Sequence, residues 1–380
     1  MYLEKMKDNS LRSLGGQWLG RYFGSSEGEI TIDVDEVEDH FEGCAYLFAE
    51  NGLPNVVTFF KTVDQESIHE VDVELVPFHP NLANFLTWDV MGRDFPNVQF
   101  PRHAHVKIQL SEAGLKLEWM TQIGTSGSSL LQPSKVEERS EYEPIADVTT
   151  WNKFKEFATS LPANKYMFRG QDVTKRLRTI FHRSHRKDLY KFINQDIPAA
   201  HLALTSQTRH LFNLLNPLEN GAFWNLIQHH GYPTPLLDWT HSPFVAAFFA
   251  FRPNRELSRG DERIRIFIFD KQQWIADFQQ LQVLAMARPH FSILEALSIE
   301  NNRALPQQAL SSITNVDDVE GYIRSKELVN KKTYMQVIDL PRSDRKLVLQ
   351  ELSLMGITAG NMMPGLDGAC EELRRKYFTL

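Results

Sequence analysis

The first third of the chain alternates apolar and polar residues with a period of two. The alternation is clearest in residues 29–35, 71–76, 105–110 and 115–119. This pattern is typical of strands that bury one side and expose the other. It predicts an N-terminal domain over residues 1–145, built as an antiparallel β sandwich or barrel.

Two polar stretches interrupt this pattern. Residues 125–129 read Thr-Ser-Gly-Ser-Ser and predict a turn or flexible loop. Residues 134–143 are polar throughout most of their length and predict a linker between domains. The second domain is therefore expected to span residues 146–380.

The second part of the chain mixes helical and extended patterns, which predicts an α+β domain without alternating βαβ units. The predicted helices are 151–161, 220–230, one opened by Ser343, and a closing helix with Leu366, Ala369, Cys370, Leu373 and Tyr377 on one side. The predicted strands are 166–169, 234–239, 263–270 and 334–340.

Two helix boundaries are marked by their residue types. Gly231 follows the helix 220–230, where a left-handed C-terminal cap belongs. Ser242-Pro243 then starts a new helix, because serine accepts an orphan N–H group and proline has none to lose. The apolar run 244–251 gives that helix a buried face.

Composition narrows the classes of partner. The net charge of -7, from 41 basic and 48 acidic residues, gives no general attraction for nucleic acid. The two cysteines, Cys44 and Cys370, provide neither a disulfide framework nor a cysteine-rich zinc site. Residues 1–8 lack the apolar core of a signal peptide, and no apolar stretch reaches membrane-spanning length. We expect a cytoplasmic protein that binds neither membrane nor metal.

The candidate chemistry lies in residues 228–243 and in Arg169-Gly170. A guanidinium presents paired donors to phosphate, and the adjacent glycine permits close approach to the main chain. The N-terminus of the helix that begins after Ser242 can receive an anionic pyrophosphate. Thr240, His241 and Tyr232 can then supply hydrogen bonds and a stacking surface. Together these residues predict a nucleotide pocket.

Several segments jointly resemble the FRG domain family, which is named for its Phe-Arg-Gly motif. They are Phe168-Arg169-Gly170, the block from Gln228 to Thr240, Arg303 with Gln307, and the closing segment from Gly356 to Gly368. The resemblance extends from about residue 148 to the C-terminus. Pro235 departs from it, because the family often has arginine there, so the ligand need not be identical.

A more distant similarity connects this layout to ADP-ribosyltransferase folds. It implies catalytic roles for Arg169, for Thr240 or Ser242, and for Gln307, with Gln307 where such folds place glutamate. Glu295, Glu300 and Glu351 are the other candidates for that role. The similarity implies NAD as cofactor. The residues expected to bind it are Arg169, Gly170, His230, Tyr232, Asp238, Thr240 and Ser242.

Two functions remain open at this point. The first is an ADP-ribosyltransferase or NAD-cleaving effector in a bacterial toxin or phage-defence system. The second is a non-catalytic ligand-sensing or protein-interaction module of a defence complex, with the N-terminal domain binding a protein partner. Whether the chain is an enzyme is left open.

Structural roles compete for the same residues. Arg169 can pair with Asp238 across neighbouring strands, and Ser242 can act only as a helix cap. His229 and His230 suit a helix end, where the dipole favours imidazole. With Asp238 and His241 these histidines also offer a weaker metal-dependent hydrolase alternative. The basic segment 175–191 is the one support for nucleic-acid binding, and its alternative is a solvated helix face.

Overall fold

A computed structural model describes residues 13–50, 52–79, 84–253 and 262–378. The N-terminal stretch 1–8, interpreted above as lacking a signal peptide, lies outside the described residues. Helices and strands are both abundant, and the N-terminal strands form a large antiparallel sheet, which confirms the predicted α+β class.

The N-terminal sheet is one continuous, curled layer. Its strands are β1 (Gly16–Gly24), β2 (Gly28–Val37), β3 (His40–Ala49), β4 (Asn55–Lys61), β5 (Ile68–Glu74), β6 (Val76–His79), β7 (Asn84–Phe85), β8 (His103–Ser111), β9 (Gly114–Thr121) and β10 (Ser126–Pro133). They follow the order β5-β8-β9-β10-β1-β2-β3-β4-β6-β7. The four predicted strand segments coincide with β2, β5 to β6, β8 and β9, because their apolar residues face the enclosed core.

The predicted loop at residues 125–129 is wrong for most of its length. Ser126 to Ser129 belong to β10, which pairs with β1 on one side and β9 on the other. Gly127 is required there, because a Cβ would lie 2.4 Å from the ring of Trp119. The neighbouring strands β1 and β9 supply the hydrogen bonds and the packing of β10, which the residue types of β10 itself do not indicate.

A second sheet occupies the C-terminal part of the chain. Its strands are β11 (Tyr166–Gln171), β12 (Leu236–Thr240), β13 (Arg263–Asp270), β14 (Phe291–Leu294), β15 (Ala309–Thr314) and β16 (Met335–Pro341). Their order is β14-β15-β12-β11-β13-β16, and all adjacent pairs are antiparallel. This places β11 and β12 side by side in the middle of the sheet.

Helix α1 (Trp88–Asp94) belongs to the N-terminal part, whereas helices of the C-terminal part cover both faces of the second sheet. The helices and helical turns of the C-terminal part are α2 (Trp151–Ser160), α3 (Ile180–Arg183), α4 (Leu189–Lys191), a π-helical turn (Phe192–Asp196), α5 (Ile197–Leu204), α6 (Pro217–His229), α7 (Pro243–Phe251), α8 (Lys271–Asp277), α9 (Val319–Asn330), a 3₁₀ turn (Arg342–Asp344), α10 (Arg345–Leu354), α11 (Ala359–Met362) and α12 (Leu366–Tyr377). Helices α2, α7, α10 and α11 pack on one face, and α8 and α9 on the other. None of the helices within the described ranges combines the length and hydropathy that crossing a bilayer requires.

Most predicted elements of this part are confirmed. The differences lie near the C-terminus. The helix predicted to open at Ser343 begins at Arg345, after a 3₁₀ turn that contains the serine, and its cap residue Asp344 makes no side-chain cap bond. The apolar side predicted for the last helix is solvent-exposed, since Leu366 is 83% and Tyr377 66% exposed.

The predicted linker is packed rather than extended. Tyr142 is buried in the core beneath the second sheet, and its hydroxyl donates to Glu327 at 2.7 Å. The backbone N–H of Glu141 donates to buried Glu320 at 2.7 Å. The segment is therefore anchored to helix α9 of the C-terminal part, and the boundary at residue 145 stays a prediction.

The two sheets meet through buried polar contacts. The Gln17 amide donates to the carbonyl of Asn315 at 2.7 Å and accepts from the N–H of Asp317 at 2.8 Å. The Asp35 carboxylate accepts from the N–H groups of Lys187 and Asp188. Such contacts fix the relative position of two surfaces, because every buried polar group needs its partner.

The basic segment 175–191 supplies cations to acidic partners. Arg176 binds Asp318 and Glu141, and Arg178 binds Asp317. Lys187 is buried and donates to main-chain carbonyls. The interpretation as a solvated helix face is therefore wrong, and these cations are engaged within the protein.

Glu42 makes a further contact between the two parts. Its carboxylate accepts from Lys191 and from His40, and Lys191, followed by His40, lowers the pKa of Glu42 to about 2. A lowered pKa contributes stability above the unfolded value of about 4.5 that is lost as the pH falls towards 2. We expect Glu42→Gln to reduce the free energy of unfolding by about 1 kcal/mol at pH 7, because the carboxylate keeps some solvent screening. Urea denaturation between pH 7 and pH 2 measures this.

The loss should become small near pH 2, where about half of the wild-type carboxylates are also protonated. Glu66→Gln, at an exposed position of the loop between β4 and β5, is the matched control and should follow the wild-type curve. A constant difference at all pH values would show that the carboxylate charge is not the cause.

Candidate functional site

A cavity of about 320 Å³ opens where β11 and β12 lie side by side. The two strands are paired at Phe168 and Thr240, so the Phe-Arg-Gly motif and the end of the 228–243 block meet in space. The lining residues are Phe168, Arg169, Gly170, Gln228, His229, Asp238, Trp239, Thr240, Ala246, Phe249, Arg252, Arg303, Gln307 and Met363.

Arg169 contributes a cation that is only partly satisfied. Its Nη1 donates to the main-chain carbonyl of Asp238 at 2.5 Å, while its buried Nε has no hydrogen-bond partner. Burial lowers the pKa of Arg169 to about 10, and the Asp238 carboxylate offsets part of that effect. The arginine remains protonated at neutral pH and presents an unused donor. Arg169 therefore hydrogen-bonds to the main chain of Asp238 instead of pairing with its carboxylate, which was the structural alternative considered above.

The carboxylate of Asp238 is held from the side of helix α6. Gln228 Nε2 donates to its Oδ1 at 2.5 Å, and Gln228 accepts in turn from the hydroxyl of buried Thr234. His229 Nε2 lies 3.9 Å from the same Oδ1. This chain of contacts orients the carboxylate, and the Asp238 side chain retains 41% exposure towards the cavities.

Thr240 and Ser242 organise the start of α7. The Thr240 hydroxyl donates to the carbonyl of Gln307 at 2.7 Å and accepts from the N–H of Ser242 at 3.0 Å. The Ser242 hydroxyl accepts from the N–H of Val245 at 3.3 Å, so Ser242 is a helix cap and does not line the cavity. These bonds occupy donors that were expected to receive a pyrophosphate.

Two residues beyond the central strands complete the wall. Arg303 Nη1 donates to the carbonyl of His229 at 2.8 Å. The Gln307 amide donates to the carbonyl of Met362 at 2.7 Å, which ties the C-terminal segment to the cavity. Arg252 is also present, but it forms a 2.8 Å ion pair with Glu371. Arg169 and Arg303 therefore give this cavity two cationic side chains in addition to the Asp238 carboxylate.

Gly170 lines the cavity for a packing reason. A Cβ at this position would lie 1.9 Å from the carbonyl oxygen of Ala246 and 2.8 Å from the backbone nitrogen of Ala250. Both atoms belong to α7, which packs directly on β11. The glycine therefore lets a helix, rather than a ligand, approach the main chain at this position.

Two residues expected to bind the cofactor lie elsewhere. His230 is the exposed C-terminal cap residue of α6, and Tyr232 packs against the apolar core beside α6. The predicted left-handed Gly231 is confirmed, with φ of 93°. Because the helix ends there, His229 faces the cavity and His230 faces solvent.

A second cavity of about 270 Å³ adjoins the first and shares His229 and Asp238 with it. Glu295, His241 and Lys271 line it. Burial lowers the pKa of His241, and its buried Nδ1 has no hydrogen-bond partner. Of the acidic residues considered above, Glu295 is near the site, while Glu300 binds the N–H of His210 and Glu351 binds Lys155.

The metal-dependent alternative finds no geometric support in the described part of the chain. No group of three His, Cys, Asp or Glu side chains converges there as metal ligands require. His229 and His230, adjacent in sequence, face different surroundings.

Comparison with known families agrees with the motif. Residues 164–259 match the family model of the FRG domain. The chain contains an FRG domain. The match includes β11, α6, β12 and α7, and therefore the strand pair beneath the FRG cavity, as we call the 320 Å³ cavity from here on. Neither the curated proteins nor the solved structures contain a match to the chain.

Sequence reasoning missed several residues of the FRG cavity. His229 was considered as a helix-end residue or a metal ligand and not as part of the nucleotide pocket, and Gln228 was not considered as a hydrogen-bond partner of Asp238. Phe249 and Met363 reach the cavity from α7 and from the segment after α11. The Arg303 and Gln307 pair had a sequence signal in the family resemblance, while Phe249 looked like an ordinary core residue.

Proposed function

We propose that the FRG cavity binds an NAD-like dinucleotide and that the chain cleaves its nicotinamide glycosidic bond. The observation that carries the proposal is Arg169, a buried cation whose Nε lacks a partner at the wall of the cavity. A buried donor without a partner is costly, and an anionic ligand oxygen would satisfy it.

Size and charge support a two-part ligand. The FRG cavity and the adjoining cavity meet at His229 and Asp238, and each has the volume of a small ligand pocket. Arg169 and Arg303 suit the pyrophosphate, and Phe249 offers an aromatic surface to a ring. The adenosine half and the pyrophosphate would then lie in the FRG cavity, the nicotinamide ribose at Asp238 where the two cavities meet, and the nicotinamide in the adjoining cavity.

The chemistry needs few protein groups. Nicotinamide leaves NAD with the electron pair of the C–N bond and departs as a neutral molecule, so no general acid is required. The ribose carbon becomes oxocarbenium-like, and the Asp238 carboxylate would stabilise its positive charge. Water, or the nucleophile of an acceptor molecule, forms the new bond to that carbon and releases a proton to Asp238. This gives ADP-ribose or an ADP-ribosylated acceptor.

The contacts assign Thr240 and Gln307 to positioning roles within this proposal. Their hydroxyl and amide groups donate to main-chain carbonyls, of Gln307 and Met362 respectively. Because the main chain engages both of these side chains, the same hydrogen bonds also favour a second candidate. This candidate is a non-catalytic nucleotide sensor in a defence complex with a protein partner on the N-terminal part. The resemblance to bacterial FRG proteins leads us to propose a cytoplasmic toxin or phage-defence role for either candidate.

Binding and turnover separate these candidates. We expect purified full-length protein to bind NAD in calorimetry and to release nicotinamide. Arg169→Gln should weaken NAD binding about tenfold or more, because it removes a charge-assisted bond. Arg21→Gln, which breaks an exposed pair with Glu50 far from the cavity, is the matched control and should bind like wild type.

Thermal unfolding of each variant checks that the fold is kept. Should Arg169→Gln unfold, Arg303→Gln replaces it, since Arg303 bonds one carbonyl at the edge of the cavity. Binding without nicotinamide release would refute cleavage and favour the sensor. Absence of NAD binding by the wild type would overturn the proposal.

A further inference from the structure

The curled N-terminal sheet encloses an apolar cavity of about 320 Å³, separate from the FRG cavity. Its walls come from the inward faces of β1 to β5, β8 and β9, with residues 98–101 closing one side. The inward-facing residues include Tyr22, Ile30, Ala45, Leu47, Val56, Thr58, Val73, Ala104, Val106, Leu117 and Trp119. The cavity therefore uses the inner side of the alternating pattern.

The lining carries no charged side chain among the described residues. Polar groups occur mainly at one end, where Ser25, Ser26, Thr125 and Ser126 form part of the rim. Acidic and basic residues of the same strands alternate to the outer side, as Glu70 and its neighbours show. An ion would lose its hydration here without compensation, so the interior suits an uncharged molecule.

The space is larger than ordinary packing leaves empty. Protein interiors contain few voids bigger than a water molecule, whereas this cavity reaches the size of a small-molecule pocket. A narrower extension of about 40 Å³ continues it deeper into the sheet. The two spaces share Ala45, Thr58, Val73, Val106 and Leu117. An elongated apolar molecule fits this shape.

Thr58 supplies a polar anchor at the junction. Its residue is 6% exposed, and its buried Oγ1 has no hydrogen-bond partner. It lines both the cavity and the extension. A buried hydroxyl without a partner in an apolar wall is unfavourable, and a ligand hydroxyl or carbonyl would satisfy it.

We propose that the N-terminal sheet binds a neutral, elongated apolar small molecule with one hydroxyl or carbonyl group that hydrogen-bonds to Thr58. This site is independent of the FRG cavity and of its nucleotide. It gives the N-terminal part a ligand of its own, of the class of fatty alcohols.

The test uses full-length protein, the neutral dye N-phenyl-1-naphthylamine and two competitors, 1-decanol and 1-chlorodecane. We expect the dye to fluoresce on binding and both competitors to displace it. Ala45→Phe fills the centre of the cavity and should weaken dye binding about tenfold or more. Ala113→Phe, at an exposed turn, is its control and should leave binding unchanged.

Thr58→Val tests the anchor, because it replaces the hydroxyl with a methyl group of similar size. The affinity for 1-decanol should fall about two- to tenfold, while that for 1-chlorodecane stays unchanged. Thr31→Val is the matched control, since Thr31 also has a buried, unpartnered Oγ1 but does not line the cavity.

Circular dichroism establishes folding of each variant, and the Thr58 comparison decides the question if Ala45→Phe unfolds. The proposal is overturned if the wild type binds no dye, or if folded Ala45→Phe binds it as tightly as wild type. An equal effect of Thr58→Val on both competitors, or none on either, would overturn the role of the hydroxyl.

Discussion

Replacing Gly170 with alanine is expected to lower the free energy of unfolding by about 3 kcal/mol, at the upper end of the usual cost of overpacking. The added Cβ would lie 1.9 Å from the carbonyl oxygen of Ala246. That oxygen belongs to the backbone of α7, so no side-chain rotation relieves the clash. The helix has to move away from β11, and with it Phe249 and Arg252 leave the FRG cavity. Urea denaturation gives the loss of stability, and calorimetry gives the accompanying loss of NAD binding.

Gly92→Ala is the matched control. Gly92 lies inside α1, and a Cβ there meets no atom within 4 Å. Alanine favours the helix over glycine by up to about 1 kcal/mol, so this variant should be as stable as wild type or slightly more so. If Gly170→Ala also had the same free energy of unfolding as the wild type, α7 could not approach β11 as closely as described.

The strands that the sequence predicted contain apolar residues that alternate with polar ones or follow each other directly. Residues 29–35 alternate and residues 263–270 are mostly apolar and buried on both faces, and both segments belong to long strands. Strand β10 begins without such residues, because Ser126-Gly127-Ser128-Ser129 has no apolar side and depends on β1 and β9 for its pairing. Such a strand is specified by tertiary partners, which a local pattern does not contain.

The site was predictable to the extent that family motifs mark its residues. Arg169, Asp238, Thr240 and Gln307 do converge on one cavity, although they come from three separate segments of the chain. His230, which was expected to bind the cofactor, does not line the cavity. Successive residues of a helix point about 100° apart, as follows from 3.6 residues per turn, so only one of the two adjacent histidines faces the cavity. The position of Gly231 predicted where the helix ends, but not the direction in which the side chain of either histidine points.

The roles of these residues were less predictable than their location. Thr240 had no evident structural explanation in the sequence, yet its hydroxyl connects Gln307 with Ser242. A motif residue can therefore be needed because it holds other motif residues in place. Hydrogen bonds to main-chain carbonyls of distant segments leave no signal in residue type, which explains why this role appears only in three dimensions.

Replacing Asp35 with alanine is expected to destabilise the protein by about 3–5 kcal/mol, the usual cost of removing one partner of a buried ionic contact. Asp35 is 2% exposed and projects from β2 towards the C-terminal part. Its carboxylate accepts from the N–H groups of Lys187 and Asp188 and from Arg186 Nε at 2.9 Å. Alanine leaves the N–H groups of Lys187 and Asp188 without this acceptor at the contact between the two parts, while Arg186 keeps Asp196 at 3.0 Å. Urea denaturation monitored by circular dichroism measures the loss.

Asp72→Ala is the matched control for that substitution. Asp72 also belongs to the N-terminal sheet and also has a side-chain partner, His105 at 2.9 Å, but its own side chain is 89% exposed. Solvent replaces the lost contact there, so we expect a change within about 0.5 kcal/mol. Equal stability of Asp35→Ala and Asp72→Ala would mean that the contact does not hold the sheets together. A large loss confined to Asp35→Ala would show that the two parts of the chain stabilise each other, since the donors left unpaired belong to the part opposite the substitution.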